Sequence, residues 1–423
     1  VLADPARNRY VDLLRAVSIL VVVLGHRLMA APEVRPDGEL LAGHVLSDIP
    51  WTQRLTWVFQ VMPVFFMVGG YANASSLRSS RRSGGYAAWL HSRLRRLVGP
   101  VMVLLVFWGI LAWGLLVAGL DPELVRVGSQ TALVPVWFLA VYIGVVAISP
   151  LTLWLWDRFG WRSIAGGVIA TVGVDVLSLS LDEPWIGWWN YLFLWATVHQ
   201  FGYAWRDGLL NQTRRTLTLA GIGLAALLVL TELFGYPVSM VGVPGAEMNN
   251  TLRPRFPLLG LGVLQTGLLL SLEPLARRWL RRPRPWTATV LVNSMIMTVY
   301  LWHLTAMVLI LAILLGLGGF GLRIEAGSGA WWVTRPPWLA AMAAVTVPLV
   351  LLLSRFERPR RELAAPSAAG AIAGVILVCS GLGLLAYFGV GDENGLNWLA
   401  LMLTFAGGWV AGVVRPERRP VEA

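Results

Sequence analysis

Three ionisable side chains, Asp12, Arg15 and His26, fall within one apolar run near the start of the chain. An ionisable group at membrane depth is costly and marks a functional site by default. Arg15 and His26 are eleven residues apart, which on a helix is three turns plus about 20°. Asp12 lies fourteen residues from His26, within about 40° of the same stripe. All three therefore face one side, with His26 about 16 Å further along the helix than Arg15. Asp12 and Arg15 can pair with each other at i,i+3. His26 can reach neither and needs a partner elsewhere or a water-filled cavity. An imidazole takes a proton from a hydroxyl and returns one to a leaving group near neutral pH. It can also carry an acyl group itself. His26 is the first catalytic candidate; Arg15 and Asp12 are candidates to orient a substrate or hold the helix.

A second set is cationic. The segment 78–96, read as a loop between spans, carries Arg78, Arg81, Arg82, Arg93, Arg95 and Arg96 and no acid. Arg93 and Arg96 are i,i+3, so on a helix their forked donors point at one anion. The phosphates of a nucleotide-containing acyl donor fit that description; contact with anionic lipid is the bland alternative. Other polar groups inside apolar runs are His199, His303, Asp175 and Glu232, with Tyr300-Leu301-Trp302-His303 in the middle of one run. No His-x3-His or Glu-x-x-His pair is present, so no metal site is expected. The single cysteine, Cys379, excludes a disulfide framework.

These residues need helices to position them, and the composition says where the helices run. The chain has 423 residues, 57% of them hydrophobic and only 13% charged, with a mean hydropathy of +0.66. An ordinary soluble enzyme has about twice that charge and is excluded. Apolar runs at roughly 10–31, 56–76, 97–120, 132–155, 163–181, 188–205, 216–235, 256–275, 288–315, 337–354, 370–390 and 395–414 predict twelve spans. The first, with Asp12 and Arg15 inside it and no small-residue cleavage site, does not read as a cleaved signal peptide. Pro-rich segments at 283–285 and 335–337 are expected to end helices. Trp185, Trp188 and Trp189 are expected to anchor a helix end at the interface.

The net charge of +11 sorts by loop. All 34 basic residues are arginine. With the N-terminus inside, 25 of them fall in inside segments, 8 in outer segments or, as Arg27, at the outer end of a span, and Arg15 deep in a span. The acidic residues run the other way, 7 inside and 12 outside. This is the positive-inside pattern; it predicts both termini in the cytoplasm of a plasma (inner) membrane and excludes a nucleic-acid binder. The all-arginine composition fits a GC-rich bacterial genome.

Five short segments carry a family resemblance. Tyr10-Val-Asp-Leu-Leu-Arg-Ala followed by His26, Val61-Met-Pro-Val-Phe-Phe-Met-Val-Gly-Gly-Tyr71, Arg93-Leu-Arg-Arg-Leu-Val-Gly-Pro100, Val136-Trp-Phe-Leu139 and Tyr300-Leu-Trp-His303 occur in this order. The ordered set resembles the acyltransferase-3 family of integral membrane acyltransferases. Gly69 stands where that family often has Ser, and Thr305 where it often has Pro. The resemblance implies a ten-helix core over 1–355, transfer of an acetyl or other acyl group from acyl-CoA, His26 as the catalytic residue with Arg15 as its partner, and Arg93 and Arg96 on the CoA phosphates. No permanently bound cofactor is expected, acyl-CoA being a donor substrate.

Beyond the core, a cytoplasmic linker at 356–369, two accessory helices within 370–414 and a cytoplasmic tail at 415–423 complete an all-α polytopic chain. Tyr71, Trp137, Tyr300 and His303 are candidates for acceptor binding, with Glu247 in a polar outer loop at 236–255. The expected acceptor is an envelope glycan, a glycolipid or a metabolite. The competing classes are a twelve-helix secondary transporter, to which Asp157-Arg-Phe-Gly-Trp-Arg162 bears a local likeness, and a non-catalytic lipid translocator or sensor.

Overall fold

Hydrocarbon offers a backbone N–H or C=O no partner, so a spanning segment must close its hydrogen bonds within itself. Each apolar run of this sequence accordingly folds as helix. The computed structural model of the chain describes residues 8–34, 40–41, 43–80, 85–357 and 366–413. Arg7, Arg81, Arg82, most of the 356–369 linker and the 415–423 tail lie outside those residues.

The first helices are α1 (Arg9–Met29), α2 (Val45–Asp48), α3 (Thr56–Phe59), α4 (Met62–Ser80), α5 (Gly85–Val117) and α6 (Pro122–Phe159). A central group follows: α7 (Trp161–Ser180), α8 (Asn190–Arg206), α9 (Thr213–Glu232), α10 (Phe256–Ser271), α11 (Glu273–Trp279) and α12 (Pro283–Ser294). The last are α13 (Ile296–Gly316), α14 (Gly329–Leu353), α15 (Ala368–Phe388) and α16 (Trp398–Val410). Two short antiparallel ribbons interrupt them, Glu33–Val34 with Leu40–Leu41 and Gly391–Asp392 with Gly395–Leu396.

Among the described residues, eight helical segments are long and apolar enough to cross a membrane, and nine if the bent pair α10–α11 is one span. The chain is an all-α polytopic membrane protein. The spans α1, α8 and α16 do not qualify alone. Asp12, Arg15 and Arg27 charge the first, while α8 has 17 residues and α16 has 13.

Three expectations change. The run at 288–315 is two helices, broken at Met295. Asn293 Nδ2 pins the end of α12 by donating to the carbonyl oxygens of Asp12 and Thr289. The Glu357 carboxylate starts α13 by accepting from the N–H groups of Met297 and Thr298, as an acid at a helix N-terminus does. The prolines do not end helices: Pro283 opens α12, where a missing N–H costs nothing, and Pro336 and Pro337 lie inside α14. The arginine segment 78–96 is mostly helix, the end of α4 and the first three turns of α5.

The chain divides into two compact units. The first holds residues 1–75, 149–296 and 314–339; the second holds 76–148, 297–313 and 340–423. In the first, helices meet where side chains are absent. A Cβ on Gly70 would overlap the His199 carbonyl oxygen, and one on Gly202 would overlap the Met67 carbonyl oxygen. The backbones of α4 and α8 therefore touch, a small-residue contact of the kind that replaces hydrophobic drive in a bilayer. Phe66 stacks on Trp195 at 4.5 Å beside this crossing. Gly223 and Gly267 bring α9 onto α10 in the same way. Asp175 of α7, 3% exposed, accepts from Arg255 (2.9 Å), Tyr236 (3.0 Å) and the N–H of Phe256 (2.9 Å). Three donors compensate its buried charge and pin both ends of the 236–255 loop. In the second unit, α15 and α16 pack as a hairpin through Gly374, Gly381 and Gly407. Cys379 of that hairpin donates to the Ala140 carbonyl oxygen, and Gln130 to that of Tyr387.

Gly202→Ala is expected to destabilise the purified protein by about 1–3 kcal/mol, because a methyl there overpacks the α4–α8 crossing. Gly221→Ala, which meets open space, should leave the melting temperature where it is.

Candidate active site

In the first unit, the start of α1 is clamped before its polar stripe begins. Asn8 caps the helix, its Oδ1 accepting from the N–H of Tyr10 (3.0 Å), and its Nδ2 donates to the Tyr71 hydroxyl (3.3 Å). The Tyr10 hydroxyl donates to the Leu269 carbonyl oxygen. Tyr10 and Tyr71 both pack on Trp205, with ring centroids at 6.0 and 4.6 Å. Trp205 Nε1 donates to the buried Glu273, whose other oxygen pairs with Arg277 (2.7 Å). Arg9 lies over Trp286 and donates to the Leu280 carbonyl oxygen. Tyr71 is thus tied to the base of α1, its ring and hydroxyl both engaged.

Along the stripe Asp12 is buried (6% exposed), while Arg15 and His26 are half-buried. His26 Nδ1 lies 2.9 Å from the Val22 carbonyl oxygen, one turn back on the same helix. A carbonyl only accepts, so Nδ1 carries the ring proton and Nε2 is the lone-pair nitrogen of the neutral ring. That tautomer is the one a general base needs. Phe59 packs at Gly25, beside His26. Glu247 is exposed on the 236–255 loop. The loop itself is stitched down: Trp57 and Gln60 donate to the carbonyls of Val238 and Met240, and Asn250 to those of Pro237 and Ser239. Burial and the Asp175 carboxylate push the Tyr236 hydroxyl well up, so it remains a donor at physiological pH.

In the second unit, Arg93 and Arg96 lie on the cationic first turns of α5. Arg93 is half-buried, donating to the Ser76 hydroxyl at 2.5 Å. Trp89 Nε1 donates to the same hydroxyl at 2.9 Å, and the Arg93 guanidinium sits 5.8 Å from the Trp89 ring centroid. Arg96 is exposed. The remaining candidates cluster around α13. The buried Tyr300 donates to the Pro135 carbonyl oxygen at 2.8 Å and meets Phe138 edge-on. His303, 0% exposed, has Nδ1 2.6 Å from the Tyr300 carbonyl oxygen. Trp137 is half-buried beside Phe138. Thr305 accepts from Trp108 Nε1 at 3.0 Å.

Sequence reasoning missed Ser76 and Trp89, which hold Arg93, and Asn73, whose Nδ2 lies 3.1 Å from Nε2 of His199 in the buried α4–α8 contact. The polar run Asn73-Ala-Ser-Ser76 inside an apolar helix was the available signal. Among the described residues no cluster of His, Cys, Asp or Glu could hold a metal ion.

No curated protein and no solved structure matches the chain. The model of one protein family, an acyltransferase domain, matches residues 8–355. That stretch contains the Arg15-x10-His26 pair, the Gly69-Gly70-Tyr71 turn of α4, the Arg93–Arg96 element and the Tyr300–His303 segment. The match spans most of the sequence and stops short of α15 and α16, and on it the chain belongs to the acyltransferase-3 family of integral membrane acyltransferases.

Proposed function

We propose that the protein transfers an acetyl group from acetyl-CoA, or another acyl group from its CoA thioester, to a hydroxyl of an envelope glycan, a glycolipid or a metabolite. The observation that carries this reading is the placement of His26 within the family-matched region, with Nδ1 2.9 Å from the Val22 carbonyl oxygen. Its Nδ1–H is spent on Val22, and Nε2 holds the lone pair. As general base, Nε2 removes the acceptor hydroxyl proton while the oxygen attacks the thioester carbonyl. The C–S bond then breaks, and the proton leaves with CoA as its thiol. Acting instead as acyl carrier, Nε2 attacks the carbonyl and expels CoA thiolate; the hydroxyl then takes the acyl group from Nε2, and its proton ends on the CoA thiol. Arg15 is the cation of the stripe and Asp12 its buried acid; both are assigned to orienting the reactants.

Arg93 and Arg96 are assigned to the phosphates of CoA. Ser76 and Trp89 hold the Arg93 fork in one orientation, which reduces the side-chain entropy lost on binding. The arginine distribution supports twelve spans with both termini cytoplasmic and a plasma (inner) membrane location. In that topology Arg93 and Arg96 face the CoA pool. His26 lies nearer the outer side, where the acceptor is met. Trp137, Tyr300, His303 and Glu247 remain assigned to the acceptor, whereas Tyr71 is a clamp at the base of α1. Residues 1–355 form the catalytic core, and the hairpin in 370–414 is an accessory.

Purified protein in lipid nanodiscs, given [14C]acetyl-CoA and a lipid and glycan extract of envelopes, should move label into the extract. Label that stays on CoA would contradict the proposal. Arg93→Ala/Arg96→Ala is expected to raise the KM for acetyl-CoA about 10–100-fold, the worth of one or two lost hydrogen bonds to charged phosphate. An unchanged KM, or unchanged binding of CoA, would remove these residues from the donor site. Ser76→Ala frees the Arg93 fork and should raise the same KM by about 3–10-fold, with a smaller change in kcat.

A further inference from the structure

His44 enters none of the roles above, yet the fold sets it beside His26. Ala30 lies one turn beyond His26, its N–H donating to the His26 carbonyl oxygen at 3.2 Å. Ala30 and His44 form an isolated antiparallel bridge, and Ala31 N–H donates to the Gly43 carbonyl oxygen at 3.0 Å. The approach is close enough that a Cβ on Gly43 would overlap the Ala31 carbonyl oxygen. Ala31, Val45 and Trp331 then form a buried cluster, with Ile49, Ile324 and Ala326 packed on it. From α14, Trp338 Nε1 donates to the Arg27 carbonyl oxygen at 3.1 Å, and Arg335 reaches that of Ala30. The backbone at His44 is thereby paired just past the last turn of α1, an end that α14 also holds.

The His44 side chain is not spent on the helix it opens. It stands at the start of α2 without making a capping hydrogen bond. Its Nδ1 is buried with no hydrogen-bond partner, and an orphaned buried polar atom costs about 1–3 kcal/mol. Burial first, and then the neighbouring His26, lower its pKa from the ordinary imidazole range, with Asp48 opposing. The two rings are electrostatic neighbours, and like charges on both are disfavoured.

We propose that His44 is a second catalytic histidine, which engages the acceptor hydroxyl beside His26. The inference rests on acyl transfer at His26. In the base mechanism the acceptor hydroxyl donates its proton to His26 Nε2, and its oxygen forms the new bond to the acyl carbon. The neutral His44 ring donates its Nδ1–H to the hydroxyl oxygen, which leaves the oxygen's other lone pair aimed at that carbon. The leaving sulfur departs as the CoA thiol with the proton from His26. His44 gains and loses no proton overall, and its Nδ1 acquires the partner it lacks. The ligand class is an alcohol presented at the C-terminal end of α1.

The test uses full-length protein in nanodiscs with [14C]acetyl-CoA and the envelope extract as acceptor. His44→Ala is expected to lose about 100-fold in kcat with the KM for acetyl-CoA unchanged. Added imidazole should restore at least a tenth of the lost rate, which relief of a purely structural defect would not do. His44→Gln, which keeps a hydrogen-bonding atom, should fall between the two and carries the test if the Ala variant does not purify. A His44→Ala or His44→Gln rate equal to wild type overturns the proposal, and so does a loss that imidazole leaves untouched. His26→Ala in the same series separates the two readings. An active His26→Ala defeats the underlying acyl-transfer mechanism. An inactive one beside a fully active His44→Ala defeats the role of His44 alone.

Discussion

A ring nitrogen or a charge in hydrocarbon has no partner unless the protein supplies one, and the first unit is arranged around that constraint. Helix α1 carries Asp12, Arg15 and His26 on one stripe. Its lower end is held by Asn8, Tyr10, Tyr71, Trp205 and Glu273, and its upper end by Gly43, His44, Trp338 and Arg335. Between these clamps His26 turns Nδ1 onto its own helix. The local bond favours the tautomer with the proton on Nδ1.

The scaffold achieves this with absent side chains as much as with present ones. Gly70 and Gly202 let α4 and α8 touch, so Tyr71, one residue on, is delivered to Trp205 and to the base of α1. Larger residues would separate the helices, and the Asn8–Tyr71–Trp205 contact would go with them. In the second unit a single hydroxyl, Ser76, receives both Trp89 and Arg93 and so orients the guanidinium. Both arrangements fix a side chain by contacts made within the protein itself.

Much of this was legible in the sequence. Apolar runs located the helices because hydrophobicity over about 20 residues is a strong signal. The helical angle between Arg15 and His26 placed them on one stripe, since 3.6 residues per turn is a fixed geometry. Other features were not legible, for physical reasons. The break at Met295 depends on Asn293 reaching the Asp12 carbonyl and on Glu357 reaching Met297 and Thr298, contacts between residues about 60 or more apart in the chain. Prolines at 336 and 337 read as a stop, but a spanning helix continues through them because no alternative backbone partner exists in hydrocarbon. His44 lies in an irregular loop, and Ser76 is one small hydroxyl in a polar run whose partners are not encoded by spacing. Only folding shows that the first abuts α1 and the second lies under Arg93.

Release of the CoA thiol under single-turnover conditions reads whether His26 does the acyl chemistry, without knowledge of the acceptor. Enzyme in excess over acetyl-CoA, quenched at intervals in the presence of envelope extract, is compared for wild type and His26→Ala, each first shown to bind CoA equally. The predicted result is stoichiometric thiol release by the wild type and a rate at least 1,000-fold lower for His26→Ala, within the range expected for loss of a general base. Thiol release at the same rate from both proteins would contradict it.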